Sequence, residues 1–322
     1  DEQKKAENKD LQTKKVIDYL SAENHYIDKV FGHTKELQDK LYDEIVGRIK
    51  KNDESLPYCS NGYWYFVRYE EGNEYPIYCR KKGTLEAKEE IMLDVNKMAE
   101  GHDYYNISGL SISIDNKILA YAEDTLSRRI YTIKFKNLET GKIYEDKIPN
   151  TTGEGAWAND NKTYFYTSKN EVSLLPEKIY RHTLGMKVKN DEMVYHEKDP
   201  SFYIGVYKSK SDKFIIIWNS STLVSDYHIL NADNPSGKFK QFTPRDDRHE
   251  YSIAHFEDKF YIVTNWNAQN FKLMETSENE TSKGNWKEII PHREDVLLEG
   301  VEVFNHYLVL DERKEGLTNL RI

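Results

Sequence analysis

The chain has little cysteine, no long apolar run and no excess of positive charge, and each shortage removes a class of protein. Cys59 and Cys79 are its only cysteines, so it holds no disulfide framework and no zinc-ligand spacing. Both lie in strand-like stretches and are expected to pack as small buried apolar side chains. Such sparse thiols fit a reducing compartment, and a cytoplasmic location is expected. Asp1 is not a native initiator, which leaves a cleaved export signal open. No hydrophobic stretch is long enough to span a bilayer, so no membrane partner is expected. The 46 basic residues are outnumbered by 55 acidic ones, for a net charge of -9. That balance argues against a nucleic-acid partner, whose phosphates need basic surface, and is compatible with cationic substrates.

Signatures of catalysis are missing too. A serine hydrolase of the α/β class needs G-x-S-x-G, in which small residues let the nucleophile project from a tight strand-to-helix turn. The nearest approach, Gly109-Leu110-Ser111-Ile112-Ser113, lacks the second glycine, so Ser111 reads as a serine on a strand. No H-E-x-x-H occurs, and His249 and His255 are better read as surface or core residues than as metal ligands. Gly153-Glu154-Gly155 lacks the lysine and hydroxyl residue of a phosphate loop and reads as a connection. No metal and no cofactor is expected.

What the chain does have is aromatic content, 13% with 24 tyrosines, which favours half-buried sheet faces. Before residue 53 the pattern is helical. Leu37, Leu41, Ile45 and Ile49 recur at a spacing of four behind Thr34, a candidate N-cap. A weaker helical pattern runs through Val16, Ile17, Leu20, Ile27, Val30 and Phe31.

After Asn52 the period becomes two, and a unit repeats. A polar turn precedes a short apolar strand at Asn61 and Gly62 before YWYFV, Asp115 to Lys117 before ILAYA, and Asp160 to Lys162 before TYFYT. It recurs at Ser211 to Lys213 before FIIIW, Glu257 to Lys259 before FYIVT, and Asn305 and His306 before YLVLD. From Lys117 onward these markers lie 45, 51, 46 and 47 residues apart. One strand precedes each marker strand and two follow it. Four short strands at this period predict a β-propeller blade.

The expected fold is therefore mainly β: a helical segment over 1–52, then a propeller over 53–322. Units 55–101, 105–150, 151–200, 201–246 and 247–295 are complete, and 296–322 is about half of a sixth. The chain is expected to be cut within that sixth blade, because an unfinished blade leaves strand edges unpaired. A β-sandwich is the structural alternative. A WD-type interaction scaffold would need recurring Trp-Asp and Gly-His signatures that do not recur here. A five-bladed glycosidase would need carboxylates converging on the channel, for which Asp115, Asp160 and Asp212 are the recurring candidates.

Several runs also resemble the propeller of the oligopeptidase B branch of the prolyl oligopeptidase family. They include AEDTLSRRIYTIKFKNLETGKIY (122–144), Trp157-Ala158-Asn159-Asp160, Leu174-Leu175-Pro176, His249-Glu250-Tyr251-Ser252, Ile289 through Glu294, and RKEGLTNLR (313–321). The resemblance implies a seven-bladed propeller followed by an α/β-hydrolase domain that is absent from this chain. It implies cleavage of short peptides after Arg or Lys, with the propeller excluding folded proteins and the catalytic triad lying beyond Ile322. It further implies that Leu37, Leu41 and Ile45 face the hydrolase domain. A propeller acid, Glu123 before Asp124, is implied to form an ion pair across the interdomain hinge, beside Arg128 and Arg129.

Overall fold

The computed structural model describes residues 11–322, so the first ten residues of the expected helical segment lie outside the described residues. Two helices form as the spacing predicts: α1 (Leu11–Phe31) and α2 (Lys35–Arg48), joined by a 3-10 turn at Gly32–Thr34. Thr34 takes the N-cap position of α2, as expected, but its side chain caps no amide. Its backbone sits at φ -94, ψ 0 with no side-chain cap bond, and its hydroxyl donates 2.7 Å back to the Phe31 carbonyl. The helices follow each other too closely for the extended backbone that a capping side chain requires. No residue of either helix is buried.

Beyond the helices the chain folds into consecutive antiparallel sheets. The first blade runs Tyr58–Ser60, Tyr63–Tyr69, Ile77–Lys82 and Glu89–Asp94. Asn61 (φ 45) and Gly62 (φ 77) make its first hairpin, both in the left-handed region that a two-residue turn needs. The later marker strands are Ile118–Asp124, Thr163–Lys169, Phe214–Ser220, Lys259–Thr264 and Leu308–Lys314. Each pairs with the strand before it and the strand after it.

The marker strands are apolar without interruption because both of their faces are covered. Side chains alternate across a strand, so neighbouring residues feed different cores. In the second blade, Leu119 and Tyr121 pack against Tyr65 and Leu93 of the first, while Ala120 and Ala122 meet Trp157 and Tyr164 of the third. In the fourth, Ile215 and Ile217 meet Ala156 and Phe165 of the third, while Phe214 and Ile216 meet Phe260 and Ile262 of the fifth. Val263 and Leu273 of the fifth then pack on Leu298 and Leu310 of the sixth unit. Each fully buried aliphatic contributes about 1.5–3 kcal/mol. Among the described residues no such cluster, and no strand pairing, joins the sixth unit to the first blade.

Four sequence expectations are corrected. The sixth unit holds three strands, Leu297–Val303, Leu308–Lys314 and Leu317–Arg321, and not half a blade. Gly153-Glu154-Gly155 is not a loop; it lies in one extended segment, Ile143–Trp157, that serves as outer strand of the second blade and inner strand of the third. Asn150 (φ 57) and Gly153 (φ 94) bend this segment where it changes sheets. Here Gly109 is obligatory, since a Cβ on it would lie 1.7 Å from the Gly153 carbonyl oxygen. Cys79 is buried but Cys59 is exposed, because the short inner strand that carries it, Tyr58–Ser60, is exposed along its whole length. Asp212 is out of register with Asp115 and Asp160. It occupies the left-handed position (φ 59) that Asn116 and Asn161 take in the other turns.

The second and third blades are also joined by a buried ionisable clasp. His182 lies between Asp191 (Nδ1 to Oδ1, 2.8 Å) and Asp146 of the second blade (Nε2 to Oδ1, 3.0 Å). Tyr166 donates to the second oxygen of Asp191 at 3.0 Å, and the Phe135 ring stacks on the imidazole. Burial is the largest single influence and opposes the imidazolium. The bonds and charges of Asp191 and then Asp146 together outweigh it, so the histidine titrates above its ordinary value of 6.5. His249 behaves oppositely: burial and then Lys283 push it down to about 4.

A raised folded value means that the His182 contribution is complete below its unfolded value and disappears as pH rises through the folded value. Urea unfolding of the wild-type chain and of His182→Gln across pH 5 to 9, a window set about the ordinary histidine value, should therefore give midpoints that differ most at the acid end and converge at the alkaline end. A difference that grows toward the alkaline end would show that His182 is held uncharged in the folded chain, and a constant one that its proton affinity does not change on folding.

Candidate functional site

The strand directions place two kinds of turn on opposite rims of the propeller. The polar marker turns lie on one rim and bind one another: Asn61 Nδ2 donates to the Ile114 carbonyl (2.5 Å), Asn161 Oδ1 accepts from Asp115 N (3.0 Å), and Asn159 Nδ2 donates to the Asp212 carbonyl (3.0 Å). The opposite rim carries the turns that follow the marker strands. The helices join the propeller there, since Asp53–Glu54 pairs with Tyr69 and Arg68 at the far end of the first marker strand.

The charged cluster read from the sequence, Glu123, Asp124, Arg128 and Arg129, lies on this helix-side rim. The structure gives its members different tasks. Glu123 is half-buried, ion-paired with Lys134 of the next strand and accepting a 2.6 Å bond from the Tyr105 hydroxyl. Burial, with Glu123 adding to it, pushes the Tyr105 phenol well above its ordinary range. Asp124 is 1% exposed. Its carboxylate accepts the Leu126 amide at 2.8 Å and the Arg129 amide at 2.7 Å. These bonds hold a turn in which Ser127 (φ 58) and Arg129 (φ 52) are both left-handed. Arg128 and Arg129 are exposed, and the Arg129 carbonyl accepts from Lys169 of the third blade. Burial, then the nearby Arg129 charge, lowers the Lys169 value.

Leu37, Leu41 and Ile45 are exposed along α2, as are Val16, Leu20, Ile27 and Phe31 along α1. The helices therefore present apolar side chains to solvent.

Two cavities open between the blades, bordered in part by inner strands. One, of about 380 Å³, is bordered by Tyr58, Tyr65, Leu110, Trp157 and Tyr207. The other, of about 1040 Å³, is bordered by Tyr207, Phe256, Glu302 and Phe304 of the fourth to sixth units. Ser111 is on an inner strand, as expected, and its carbonyl accepts the Trp157 indole N–H at 3.1 Å. His249 and His255 are core residues bonded to Thr264 (3.0 Å) and to Ser211 and Glu278 (2.8 and 3.0 Å). Asp115 and Asp160 accept bonds within their own turns, from Ser113 and from Thr163. Among the described residues no group of three His, Cys, Asp or Glu side chains is placed to hold a metal ion.

One arrangement had no marker in the sequence. Arg245, in the connection after the fourth blade, bonds Glu197 at 2.6 Å and Asp226 at 2.9 Å and lies 4.0 Å over the Phe202 ring. It joins the third blade to the fourth on the helix-side rim. The polar tails HEKDP and TPRDD held Glu197 and Arg245, but nothing in their composition distinguished them from solvated connections.

A family model described as "Prolyl oligopeptidase, N-terminal beta-propeller domain" matches residues 8–322. The chain is 40% identical over 327 aligned residues to a dipeptidyl aminopeptidase BI of Pseudoxanthomonas mexicana, covering 97% of this chain and 45% of that protein. It is 32% identical to a Protease 2 of Moraxella lacunata, covering 97% of this chain and 46% of that one. The structure of oligopeptidase B from Leishmania major superposes with a TM-score of 0.86 at 28% identity, covering 95% of this chain and 43% of that one. The chain thus spans less than half the length of these relatives.

The roles of the two acids separate in one experiment. Asp124→Ala leaves two backbone amides without an acceptor, at about 1–3 kcal/mol for an unsatisfied buried group. Amide exchange at Leu126 and Arg129 should accelerate in that variant and stay unchanged in Glu123→Gln, which keeps an acceptor for Tyr105. Equal exchange in both variants would remove the capping role from Asp124.

Proposed function

The chain belongs to the prolyl oligopeptidase family, as its N-terminal β-propeller, and from that premise we propose that it is the gating part of a serine-type oligopeptidase that cleaves short peptides after Arg or Lys. In this reading a following α/β-hydrolase domain carries the triad, beyond Ile322, and this chain contributes no catalytic residue and needs no cofactor. The observation that carries it is the match of residues 8–322 to the N-terminal propeller of this family; the two cavities, of about 380 and 1040 Å³ and bordered in part by inner strands, are consistent with a role in admitting short peptides. The exposed stripe of Leu37, Leu41 and Ile45 supports a helical segment that covers part of the hydrolase domain. Glu123, on the helix-side rim, is the proposed propeller partner of a hinge ion pair. Such a pair would bias open against closed states by exchanging Lys134 for a cation of the other domain. The net charge of -9 favours approach of basic peptides.

A second reading of specificity has one observation behind it. The relative at 40% identity is named a dipeptidyl aminopeptidase, an activity that removes dipeptides from a free N-terminus. The two readings differ in the substrate's amino end alone. Full-length protein should hydrolyse arginyl and lysyl peptides whether their N-termini are free or acylated, with inhibition by serine-directed reagents. Loss of all turnover on acylation would move the assignment to dipeptide release. The 322-residue chain alone should show no turnover of either substrate; serine-inhibitor-sensitive hydrolysis by the pure chain would overturn the division of labour.

A further inference from the structure

We infer that Ser211 is an activated hydroxyl, with His255 as its base and Glu278 orienting that base, and that it takes an acyl group from small activated esters entering the larger cavity. This goes beyond the proposed function and is separate from peptide cleavage, which that reading assigns to the domain that follows.

The three residues meet where the fourth blade packs on the fifth. Ser211 lies in the marker turn of the fourth blade, His255 in the inner strand Tyr251–Phe256 of the fifth, and Glu278 just after that blade's third strand, Lys272–Ser277. His255 Nδ1 is 2.8 Å from Ser211 Oγ, and its Nε2 is 3.0 Å from Glu278 Oε2. Lys213 donates to both oxygens of Glu278, at 2.7 and 2.6 Å. Burial opposes ionisation of this carboxyl, but the bonds from Lys213 and then His255 outweigh it and hold it below its ordinary value.

The positions of the protons follow from these bonds. A carboxylate only accepts, so the imidazole proton sits on Nε2 and Nδ1 is left as an acceptor. Ser211 therefore donates to Nδ1, and its own oxygen accepts from Ser209, whose Oγ is 2.9 Å away. Burial lowers the His255 value below the ordinary 6.5 and Glu278 offsets only part of this, so the imidazole is a neutral base at neutral pH. The Phe214 and Phe260 rings stand edge to face with it, their centroids 4.8 and 4.7 Å away, and fix its plane.

Access sets this hydroxyl apart. Ser211 and His255 both border the cavity of about 1040 Å³, and Ser211 is only half-buried. The comparable pair of His249 and Thr264 is closed to any ligand: Thr264 is fully buried, and His249 Nδ1 has no partner among the described residues to orient the ring. His182 has an acid on each side and bonds no hydroxyl.

The step is acyl transfer. Ser211 Oγ bonds to the ester carbonyl carbon while its proton passes to His255 Nδ1, and the carbon–oxygen bond to the leaving group breaks with its electron pair. The imidazolium then gives its proton to solvent through the cavity. An aryl ester suits this site because a phenolate leaves without a proton. An amine needs one, so peptide bonds are spared.

Incubating the 322-residue chain with para-nitrophenyl acetate and mapping its peptides by mass spectrometry tests the assignment. Ser211 should carry an acetyl group. Ser211→Ala should lose that label with an unchanged far-ultraviolet spectrum. His255→Gln should acetylate Ser211 about 100-fold more slowly, the scale of general-base assistance. Glu278→Gln, which keeps a bond to the ring without the charge, should fall between the two and reads the same dependence should His255→Gln not fold. Acetyl confined to lysines and the N-terminus overturns the assignment, as does wild-type labelling of Ser211 in both the His255 and Glu278 variants. Peptide turnover enters none of these readouts, so labelling of Ser211 in a protein that cleaves no peptide would retain this site and reject the functional reading.

Discussion

The structure depends on a sheet burying both of its faces against the sheets before and after it. A single four-stranded meander cannot do this alone, and a polar residue on either side of its marker strand would be stranded in a core. Hence FIIIW at 214–218 is apolar at every position, although a half-exposed strand would alternate. The same constraint sets the glycines. Gly205 lies against the Trp218 indole, where a Cβ would come within 2.4 Å of Nε1, and Gly109 touches the backbone of the next sheet. Stability in such an array is carried by successive interfaces, and each blade is held by its neighbours.

Because the interior is apolar, ionisable groups that join blades are confined to strand ends and gaps. His182 with Asp146 and Asp191, and Arg245 with Glu197 and Asp226, both cross from one blade to the next. The marker turns supply a third set of crossings through asparagine side chains. These bonds are directional where the apolar cores are not, so they fix the angle between sheets that dispersion alone leaves soft. The marker-turn bonds lie on one rim and the Arg245 crossing on the other.

That asymmetry bears on function. The proposed filter would need a wall, an opening and an edge on which a second domain can sit; inner strands border part of the two cavities, and the helices show an exposed apolar face. The acids at 123 and 124 show how close neighbours divide such work. Successive residues on a strand point to opposite faces, so Glu123 reaches Lys134 and Tyr105 while Asp124 turns inward to hold the turn.

Repeat and blade order were legible in the sequence, as were the helices and the place of Ser111 in a strand, because those follow from local periodicity and turn chemistry. Membership in the family was legible too, in runs such as 122–144. The side-chain bond of Thr34, the exposure of Cys59, the register of Asp212 and the continuous segment Ile143–Trp157 were missed for one reason. Each depends on what lies beside the chain: the next helix, an uncovered strand face, a turn's left-handed position, a neighbouring sheet. The partners of His182 and Arg245 come from 36 and 48 residues away along the chain. No spacing rule joins residues so far apart, and only the packing of one blade on the next could bring them into contact.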